Sequence, residues 1–194
     1  MSTNNLQVLL LHNYPEYLKI CCKMINEEWP RTETARMMSL EASCDALPTS
    51  LILINDQKQL LGHCKLSRIP RVPEGCFLET VVITKSQRGK KLGTFLMQYV
   101  ENYSKSVLNL HKILLSTKGQ ENFYSKLGYE ICEPVSIYGD FVKPSKQPVQ
   151  EIKLPVINNI SNKTPPTPPP PPMPKSLLNA NVTPKKTFMF KKLM

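Results

Sequence analysis

The sequence QRGKKLG at residues 87–93 joins two segments with different apolar patterns. The preceding LETVVIT (78–84) is rich in β-branched residues, which is typical of a strand. Within TFLMQYVENYSK (94–105), apolar residues recur at helical spacing and predict a helix. A turn between a strand and a helix leaves the first N–H groups of that helix without partners. Because this turn is also basic and glycine-bearing, it is suited to bind an anion.

The remaining apolar patterns predict a mixed α/β domain around one sheet. Strands are predicted at 6–11, 50–54, 60–69, 76–84, 112–116 and 129–138, and helices at 14–28, 32–42, 94–106 and 119–128. In chain order this is β-α-α-β-β-β-α-β-α-β. We therefore expect a single, mostly antiparallel sheet flanked by helices.

The distribution of charge limits the classes of partner. Of the formal net charge of +10, residues 1–151 carry only +3, from 18 Lys and Arg against 15 Asp and Glu. Residues 152–194 carry seven lysines and no acid. A nearly neutral folded part does not favour nucleic-acid binding. We expect neither a membrane span nor a signal peptide, because no apolar run has the required length or flanking residues.

The six cysteines show neither a Cys-x-x-Cys pair nor a metal-ligand spacing with histidine. The sequence therefore predicts reduced, mostly buried thiols in a cytosolic protein, with no metal.

The turn and the element order resemble the GNAT family of acetyltransferases. In that family the signature [RQ]-x-x-G-x-[GA] binds the pyrophosphate of acetyl-CoA, and here Lys91 replaces its first glycine. The resemblance implies that acetyl-CoA is bound by the turn residues Arg88, Gly89, Lys90, Lys91, Leu92 and Gly93. It also implies contacts from the strand residues Thr80, Val81 and Val82, and from Gln120 at the start of the next helix.

A second motif, ENFYSKLGYE (121–130), matches a GNAT pattern in which a tyrosine reaches the coenzyme A sulfur. The resemblance implies that Tyr124 is the general acid that protonates the leaving thiolate. For Phe123 we expect packing within the helix. Packing alone is the alternative for Tyr124.

Several further segments together resemble a narrower group, the N-terminal acetyltransferases that mature actin. They are INEEWPRTETARMMSL (25–40), GHCKLSR (62–68), FYSKLGYE (123–130) and a late oligoproline run. This resemblance implies an acidic Asp/Glu N-terminus of processed actin as the acceptor. It assigns the acceptor contacts to Arg31, Arg36, Met37, Met38 and Ser39, and places Trp29 in the wall of the catalytic site.

The residue types independently favour an acidic acceptor. Enzymes for polyamines or basic peptides should line their acceptor site with carboxylates, whereas cations predominate in the segments expected here. These cations are Arg31, Arg36, Lys65, Arg68 and Arg71. The alternative is a set of unrelated surface arginines.

The general base is less clearly indicated. Glu79 is the only carboxylate on the strand that leads to the cofactor turn. His63, on the neighbouring strand, could relay a proton through water, or could be a hydrogen-bonded histidine between strands. A water-mediated route without a dedicated base also fits.

The chain after the α/β core, which we place at 1–143, changes character. Residues 144–184 are proline-rich, without helical periodicity, and are predicted to form a long disordered loop. The alternation in 185–194 predicts a last strand that returns to the sheet. Within the loop, TPPTPPPPPMP (164–174) predicts a polyproline II rod. The resemblance implies that profilin binds it, whereas a stiff spacer is the alternative.

Two other functions remain compatible with the sequence. The first is a GNAT enzyme that acetylates another small amine or a lysine. The second is a proline-rich adaptor with a non-catalytic GNAT domain, against which Tyr124 and the cofactor turn argue.

Overall fold

The computed structural model describes residues 5–137 and 186–194. The predicted proline-rich loop 144–184 lies outside the described residues. The chain divides into two units, and every described residue belongs to the unit formed by Met1–Asp140 and Pro184–Met194. The other unit is Phe141–Thr183.

Seven strands and four helices make up the described part of the chain. The strands are β1 (Gln7–Leu10), β2 (Thr49–Ile54), β3 (Leu60–Arg68), β4 (Gly75–Ile83), β5 (Lys112–Thr117), β6 (Glu130–Cys132) and β7 (Thr187–Lys192). The helices are α1 (Leu18–Glu28), α2 (Glu33–Glu41), α3 (Leu92–Ser106) and α4 (Glu121–Lys126).

The strands form one sheet in the order β1-β2-β3-β4-β5-β7-β6. Neighbouring strands are antiparallel except for β4 and β5, which are parallel. A parallel pair requires a crossover connection, and α3 lies in the segment that supplies it. The predicted mixed, mostly antiparallel sheet flanked by helices is confirmed.

The C-terminal strand lies inside the sheet. β7 pairs with β5 on one side and with β6 on the other. Its central residue, Met189, is opposite Leu115 and Ile131 and is completely buried. The strand expected from the alternation TFMFK is therefore a member of the sheet, and it separates two strands that precede it in the chain.

Helices pack against two separate apolar clusters of the sheet. Leu96 and Met97 of α3 belong to the larger cluster, which includes Met189. Ile25 of α1 and Leu40 of α2 belong to a second cluster with residues of β2 and β4. The connection between α1 and α2 is thereby held beside the middle of the sheet.

Two predicted elements differ from the structure. The predicted helix 14–28 begins with a 3-10 turn, Pro15–Tyr17, and becomes an α-helix only at Leu18; another 3-10 turn, Leu11–Asn13, precedes it. The residue before a proline avoids the helical region, and Tyr14 has φ −136° and ψ 66°. The strand predicted at 129–138 ends at Cys132, two residues before Pro134, which cannot donate a ladder hydrogen bond.

Candidate active site

The sheet opens between β4 and β5. Their parallel ladder covers residues 75–78 of β4, whereas residues 79–83 continue beside β3 alone. The β4 backbone groups that face the opening have no strand partner among the described residues. An extended ligand can occupy such an edge as an added strand.

The turn after β4 presents free N–H groups to the same opening. Gly89 has φ 79°, and a Cβ atom there would have nothing within 4 Å. Lys91, the N-cap residue of α3, has φ 59° and makes no capping hydrogen bond through its side chain. The first N–H groups of α3 therefore lack intrahelical partners and lie at the positive end of the helix dipole. The lysine that replaces the signature glycine adopts the left-handed conformation of this turn, which glycine adopts at lower cost.

A cavity of about 580 Å³ follows the opening and the turn. We call it the cosubstrate cavity. Eight predicted residues line it: Val81, Val82, Arg88, Gly89, Lys91, Leu92, Gly93 and Gln120. Two other residues predicted to bind acetyl-CoA, Thr80 and Lys90, do not line this cavity. Thr80 lines the adjoining cavity, and the Nζ atom of Lys90 donates to Gln87 Oε1 at 2.9 Å.

The Arg88 side chain fixes the turn against the end of α1. Its Nη2 atom pairs with Glu28 Oε1, and its Nε atom donates to the Ile83 carbonyl at 3.0 Å. Two sides of the guanidinium are therefore occupied by protein groups. These contacts hold the turn and its backbone N–H groups in place, and the remaining N–H groups of the guanidinium stay available at the cosubstrate cavity.

A second cavity, of about 540 Å³, adjoins the first. We call it the acceptor cavity. Five residues line both cavities: Trp29, Val81, Lys118, Gln120 and Tyr124. Two ligands bound side by side would therefore meet around Tyr124.

The acceptor cavity is strongly cationic. The cations that line it are Arg31, Arg36, Lys65, Lys118 and Lys186. Among the lining residues in the ranges 5–137 and 186–194, Glu79 is the only carboxylate. This balance favours an acidic ligand and disfavours a polyamine.

The connection between α1 and α2 forms one wall of the acceptor cavity. Asn26 Nδ2 donates to the Arg31 carbonyl at 3.0 Å, and Arg36 Nε donates to Asn26 Oδ1 at 3.0 Å. Arg36 Nη2 also donates to the Trp29 carbonyl at 2.7 Å. Burial and, second, the nearby charge of Arg31 lower the pKa of Arg36. Trp29 is 47% exposed and belongs to this wall rather than to the core.

Glu79 is held from two sides on the floor of the acceptor cavity. Ser67 Oγ donates to its Oε1 atom, and Lys65 Nζ lies 3.5 Å from Oε2. Lys65 Nζ also donates to Ser39 Oγ at 2.6 Å and to the Ser39 carbonyl at 3.2 Å. The register between β3 and β4 explains the arrangement, because Lys65 lies opposite Thr80 and Ser67 opposite Phe77. The carboxylate therefore has a fixed position beside the acceptor.

Tyr124 retains its proton at the junction of the two cavities. Burial, with a smaller effect of Cys64, raises the pKa of its hydroxyl to about 12. Its ring makes edge contacts with Phe123, at 5.0 Å between centroids, and with Tyr129, at 5.7 Å. A neutral hydroxyl fixed by two aromatic rings is suited to donate a proton.

His63 does not act as the proton relay considered from the sequence. The ring is completely buried on β3, and neither nitrogen has a hydrogen-bond partner among the described residues. Burial, followed by the charges of Lys65 and Arg36, lowers its pKa to about 3. The expectation of a hydrogen-bonded histidine between strands is therefore wrong.

Three predicted acceptor residues do not line the acceptor cavity. On α2, Arg36 and Ser39 are three residues apart and share the face toward the cavity. Met37 packs into the apolar cluster under α1, and Met38 is 66% exposed. Arg68 lines a different cavity, where its Nε atom donates to the Leu47 carbonyl at 3.0 Å.

Other residues of the site had no clear signal in the sequence. Asn26 orders the α1–α2 connection through contacts with residues 31 and 36. Lys118 and Lys186 line the acceptor cavity from the ends of β5 and β7. A lysine beside a strand end carries no sequence pattern that distinguishes a cavity residue from an ordinary surface residue.

The described part of the chain contains neither a metal site nor a membrane-spanning helix. Residues 5–137 and 186–194 contain no group of three or more His, Cys, Asp or Glu side chains arranged for a metal ion. Within the same ranges, no helix has the length and apolar character needed to cross a bilayer.

An opened mixed sheet, a glycine-bearing turn before a helix and two cavities that meet at a tyrosine are the arrangement expected of an acyltransferase domain. The model of the acetyltransferase (GNAT) family matches residues 18–129. The chain therefore belongs to the GNAT acetyltransferase family, whose members use acetyl-CoA.

Relatives and solved structures agree with this assignment. Mouse (Mus musculus) N-alpha-acetyltransferase 80 is 35% identical over 127 residues, which are 62% of this chain and 40% of that protein. The match thus spans about two fifths of the relative's length. A GNAT acetyltransferase from Staphylococcus aureus Mu50 has a TM-score of 0.58 at 16% identity and covers 97% of this chain and 99% of its own. The structure of Vibrio cholerae spermidine N-acetyltransferase with CoA and spermine has a TM-score of 0.55 at 19% identity. The match covers 66% of this chain and 82% of that chain. At these identities the two structures support the fold alone.

Proposed function

We propose that this protein is an acetyl-CoA-dependent N-terminal acetyltransferase that acts in the cytosol on acidic protein N-termini. Its acceptor is the Asp/Glu N-terminus of processed actin, and profilin binds residues 164–174. The six free cysteines, four of them buried, support a reducing compartment. The relative's name supports α-amino acetylation. Actin and profilin are proposed from the sequence resemblance described above.

One observation supports the choice of acceptor most directly: among the described residues, five cations and a single carboxylate line the acceptor cavity. A protein N-terminus with an acidic side chain gains charge-assisted hydrogen bonds from such a cavity. Polyamines would face like charges at short range, which disfavours the spermidine activity found among the structural neighbours.

The residues present fit acetyl-CoA. The β4 edge at Val81 and Val82 can hold the pantetheine arm, while the turn at Gly89 and the first N–H groups of α3 can hold the pyrophosphate. When bound, the cosubstrate supplies an acetyl thioester. Gln120 and Tyr124 line the path between the two cavities and can orient the reacting ends.

The protein's own groups account for the two proton movements of acetyl transfer. Glu79 is the only carboxylate among the residues that line the acceptor cavity, so it can accept the amine proton directly or through one water. Ser67 and Lys65 fix its orientation. Tyr124 donates a proton to the departing thiolate, because its hydroxyl stays neutral far above physiological pH. Trp29 covers the junction from the α1–α2 side.

The first prediction concerns acceptor charge. Peptides that begin with Asp-Asp or Glu-Glu should be acetylated far better than peptides that begin with Lys or Ser, and added salt should reduce the difference. Arg31→Glu should raise the KM for acidic peptides by about tenfold or more, since charge-assisted hydrogen bonds contribute roughly 1.5–3 kcal/mol. Arg31 is preferred to Arg36 because its side chain has no ion pair among the described residues. Steady-state kinetics on the peptide series provide the measurement.

Arg68→Glu is the matched control for this experiment. It makes the same charge change at an arginine that lines a different cavity, so the KM for acidic peptides should stay within about twofold of wild type. Equal rates on acidic and basic peptides would contradict the proposed acceptor. An equal rise in KM for Arg31→Glu and Arg68→Glu would show that overall charge, rather than the cavity, sets the preference.

The second prediction concerns the oligoproline run. Deleting residues 164–174 should leave acetylation of free acidic peptides unchanged, because every residue to which we assign a part in acetyl transfer lies elsewhere in the chain. The deletion should slow acetylation of profilin-bound actin, since tethering raises the local concentration of the acceptor. Profilin binding and actin acetylation are measured in parallel. Undiminished profilin binding by the deletion variant would contradict the docking role.

A further inference from the structure

One ion pair connects the turn at the cosubstrate cavity with the end of α1. Glu28, the last residue of α1, lines the cosubstrate cavity, and its Oε1 atom accepts a hydrogen bond from Arg88 Nη2. Arg88 belongs to the turn after β4 and lines the same cavity, where its Nε atom donates to the Ile83 carbonyl at 3.0 Å. The pair therefore joins the anion-binding turn to a helix that lies sixty positions earlier in the chain.

The end of α1 continues directly into the wall of the acceptor cavity. Residues 29–32 lie outside α1 and α2 and are exposed, so hydrogen bonds from neighbouring elements hold this connection. The Trp29 N–H group donates to the Ile25 carbonyl at 2.9 Å, and the Trp29 carbonyl accepts from Arg36 Nη2 at 2.7 Å. Because Trp29 follows Glu28 in the chain, a displacement of Glu28 would displace Trp29 and its contact with Arg36.

Arg88 has donors left for a bound anion. A guanidinium carries five N–H groups. In Arg88, the Nε group donates to the Ile83 carbonyl and the Nη2 atom donates to Glu28. A pyrophosphate bound at the turn would accept from the remaining groups by charge-assisted hydrogen bonds, which have strict geometry. Arg88 would then contact the anion and Glu28 at the same time.

We propose that Glu28 is a positioning residue that couples the two cavities through Arg88. An anion at the turn fixes Arg88, and Arg88 fixes Glu28 and the wall that begins at Trp29. An acceptor peptide then binds to a wall that is already ordered, and it loses less conformational entropy. Such a coupling is reciprocal, so the peptide must strengthen cosubstrate binding by the same factor. The inference rests on the proposed function and specifies how its two substrates affect each other.

Calorimetry on the full-length chain measures the coupling. CoA is titrated into the protein alone and into the protein saturated with the peptide Asp-Asp-Ala-Ala-Ala-Leu. CoA replaces acetyl-CoA in this titration, so that no acetyl group is transferred. In wild type the peptide should strengthen CoA binding by about fivefold or more, the lower end of usual coupling. Glu28→Gln keeps the size of the side chain but removes its charge, and should reduce the factor to less than about twofold.

Steady-state kinetics provide a second readout, which a merely structural role of Glu28 would not produce. With acetyl-CoA saturating, Glu28→Gln should raise the KM for the peptide by about fivefold, because the ternary complex loses the coupling. It should lower kcat by less than about twofold, because Glu28 lies outside the junction at Tyr124. A half-exposed ion pair contributes little to stability, so the variant should melt near the Tm of wild type.

Glu27→Gln is the matched control. It makes the same change one residue earlier in α1, at an exposed side chain that lines neither cavity, and should leave the coupling factor at its wild-type value. Arg88→Gln tests the route of the coupling. It should weaken CoA binding and abolish the coupling, and adding Glu28→Gln to it should reduce the coupling no further.

Three outcomes overturn the inference. In the first, Glu28→Gln retains the wild-type coupling factor. In the second, wild type itself shows no coupling. In the third, Glu27→Gln reduces the coupling as much as Glu28→Gln does, so that the charge of α1 rather than the contact with Arg88 is responsible. Each of these results, with acidic peptides still acetylated by wild type, leaves the proposed function standing. If wild type neither binds nor acetylates the peptide, the proposed function fails together with the inference.

Discussion

Replacing Tyr124 with phenylalanine should lower kcat by roughly 10²- to 10⁴-fold, the usual contribution of a general acid. Affinity for acetyl-CoA should change little, because the ring that lines both cavities is retained. The hydroxyl is needed only when the thiolate leaves, so its loss affects the transition state more than the bound ground state. Calorimetry with acetyl-CoA and steady-state kinetics separate the two effects.

The pH dependence of the wild-type enzyme provides a second test of this role. The α-amino group of an acceptor has an ordinary pKa of about 8, so kcat/KM should rise with pH up to that value. A proton donor with a pKa of about 12 keeps its proton on further increase of pH. The alkaline decline expected from loss of that proton should therefore begin only above about pH 11. A decline centred near the ordinary tyrosine pKa of about 10 would contradict the burial effect at Tyr124.

Tyr129→Phe is the matched control for the kinetic prediction. Tyr129 is buried beside Tyr124 and lines neither cavity, and its hydroxyl lies near Glu101, which also lines neither cavity. Removing that hydroxyl should leave kcat unchanged. If Tyr124→Phe and Tyr129→Phe have the same small effect on kcat, Tyr124 serves packing alone, and the proton must come from water.

Local signals explain why much of the fold could be predicted. The β-branched run before residue 84 and the helical spacing after residue 94 are properties of short segments, and β4 and α3 follow them closely. Gly128 has φ 87° just beyond α4, and glycine in this left-handed conformation commonly follows the end of a helix. Such features depend on neighbouring residues, which a sequence displays directly.

Contacts between distant segments could not be predicted in the same way. Lys118 and Lys186 line one cavity because β5 pairs with β7, and no local pattern specifies that pairing. The same holds for Arg88, which pairs with Glu28 sixty positions away. Sequence identified Arg88 as an anion ligand from its place in a motif. The structure adds that its side chain fixes the turn on which the backbone donors lie.

Removing the C-terminal strand should have the largest effect on stability. A chain that ends at residue 150 loses β7, which pairs with β5 and is the only neighbour of β6 in the sheet. It also loses Met189, a completely buried side chain, and Lys191 Nζ, which pairs with Glu101 Oε2 at 2.6 Å. Truncating one buried methionine to alanine costs about 2–5 kcal/mol. Since a domain has only about 5–15 kcal/mol of net stability, loss of the whole strand should prevent stable folding or markedly lower Tm.

A second variant distinguishes the effect of losing β7 from the effect of losing residues 141–183. A variant that replaces residues 141–183 with a flexible Gly/Ser linker of about twelve residues keeps β7, and its Tm should stay near that of wild type. Within the full chain, Met189→Ala should lower Tm strongly. Met194→Ala should not, because Met194 is fully exposed. Circular dichroism melting curves of the four variants, each compared with wild type, measure these effects.

If the chain ending at residue 150 melts like wild type, β7 contributes little to the sheet. If the linker variant melts like the truncated chain, the stabilisation must come from residues 141–183 rather than from β7.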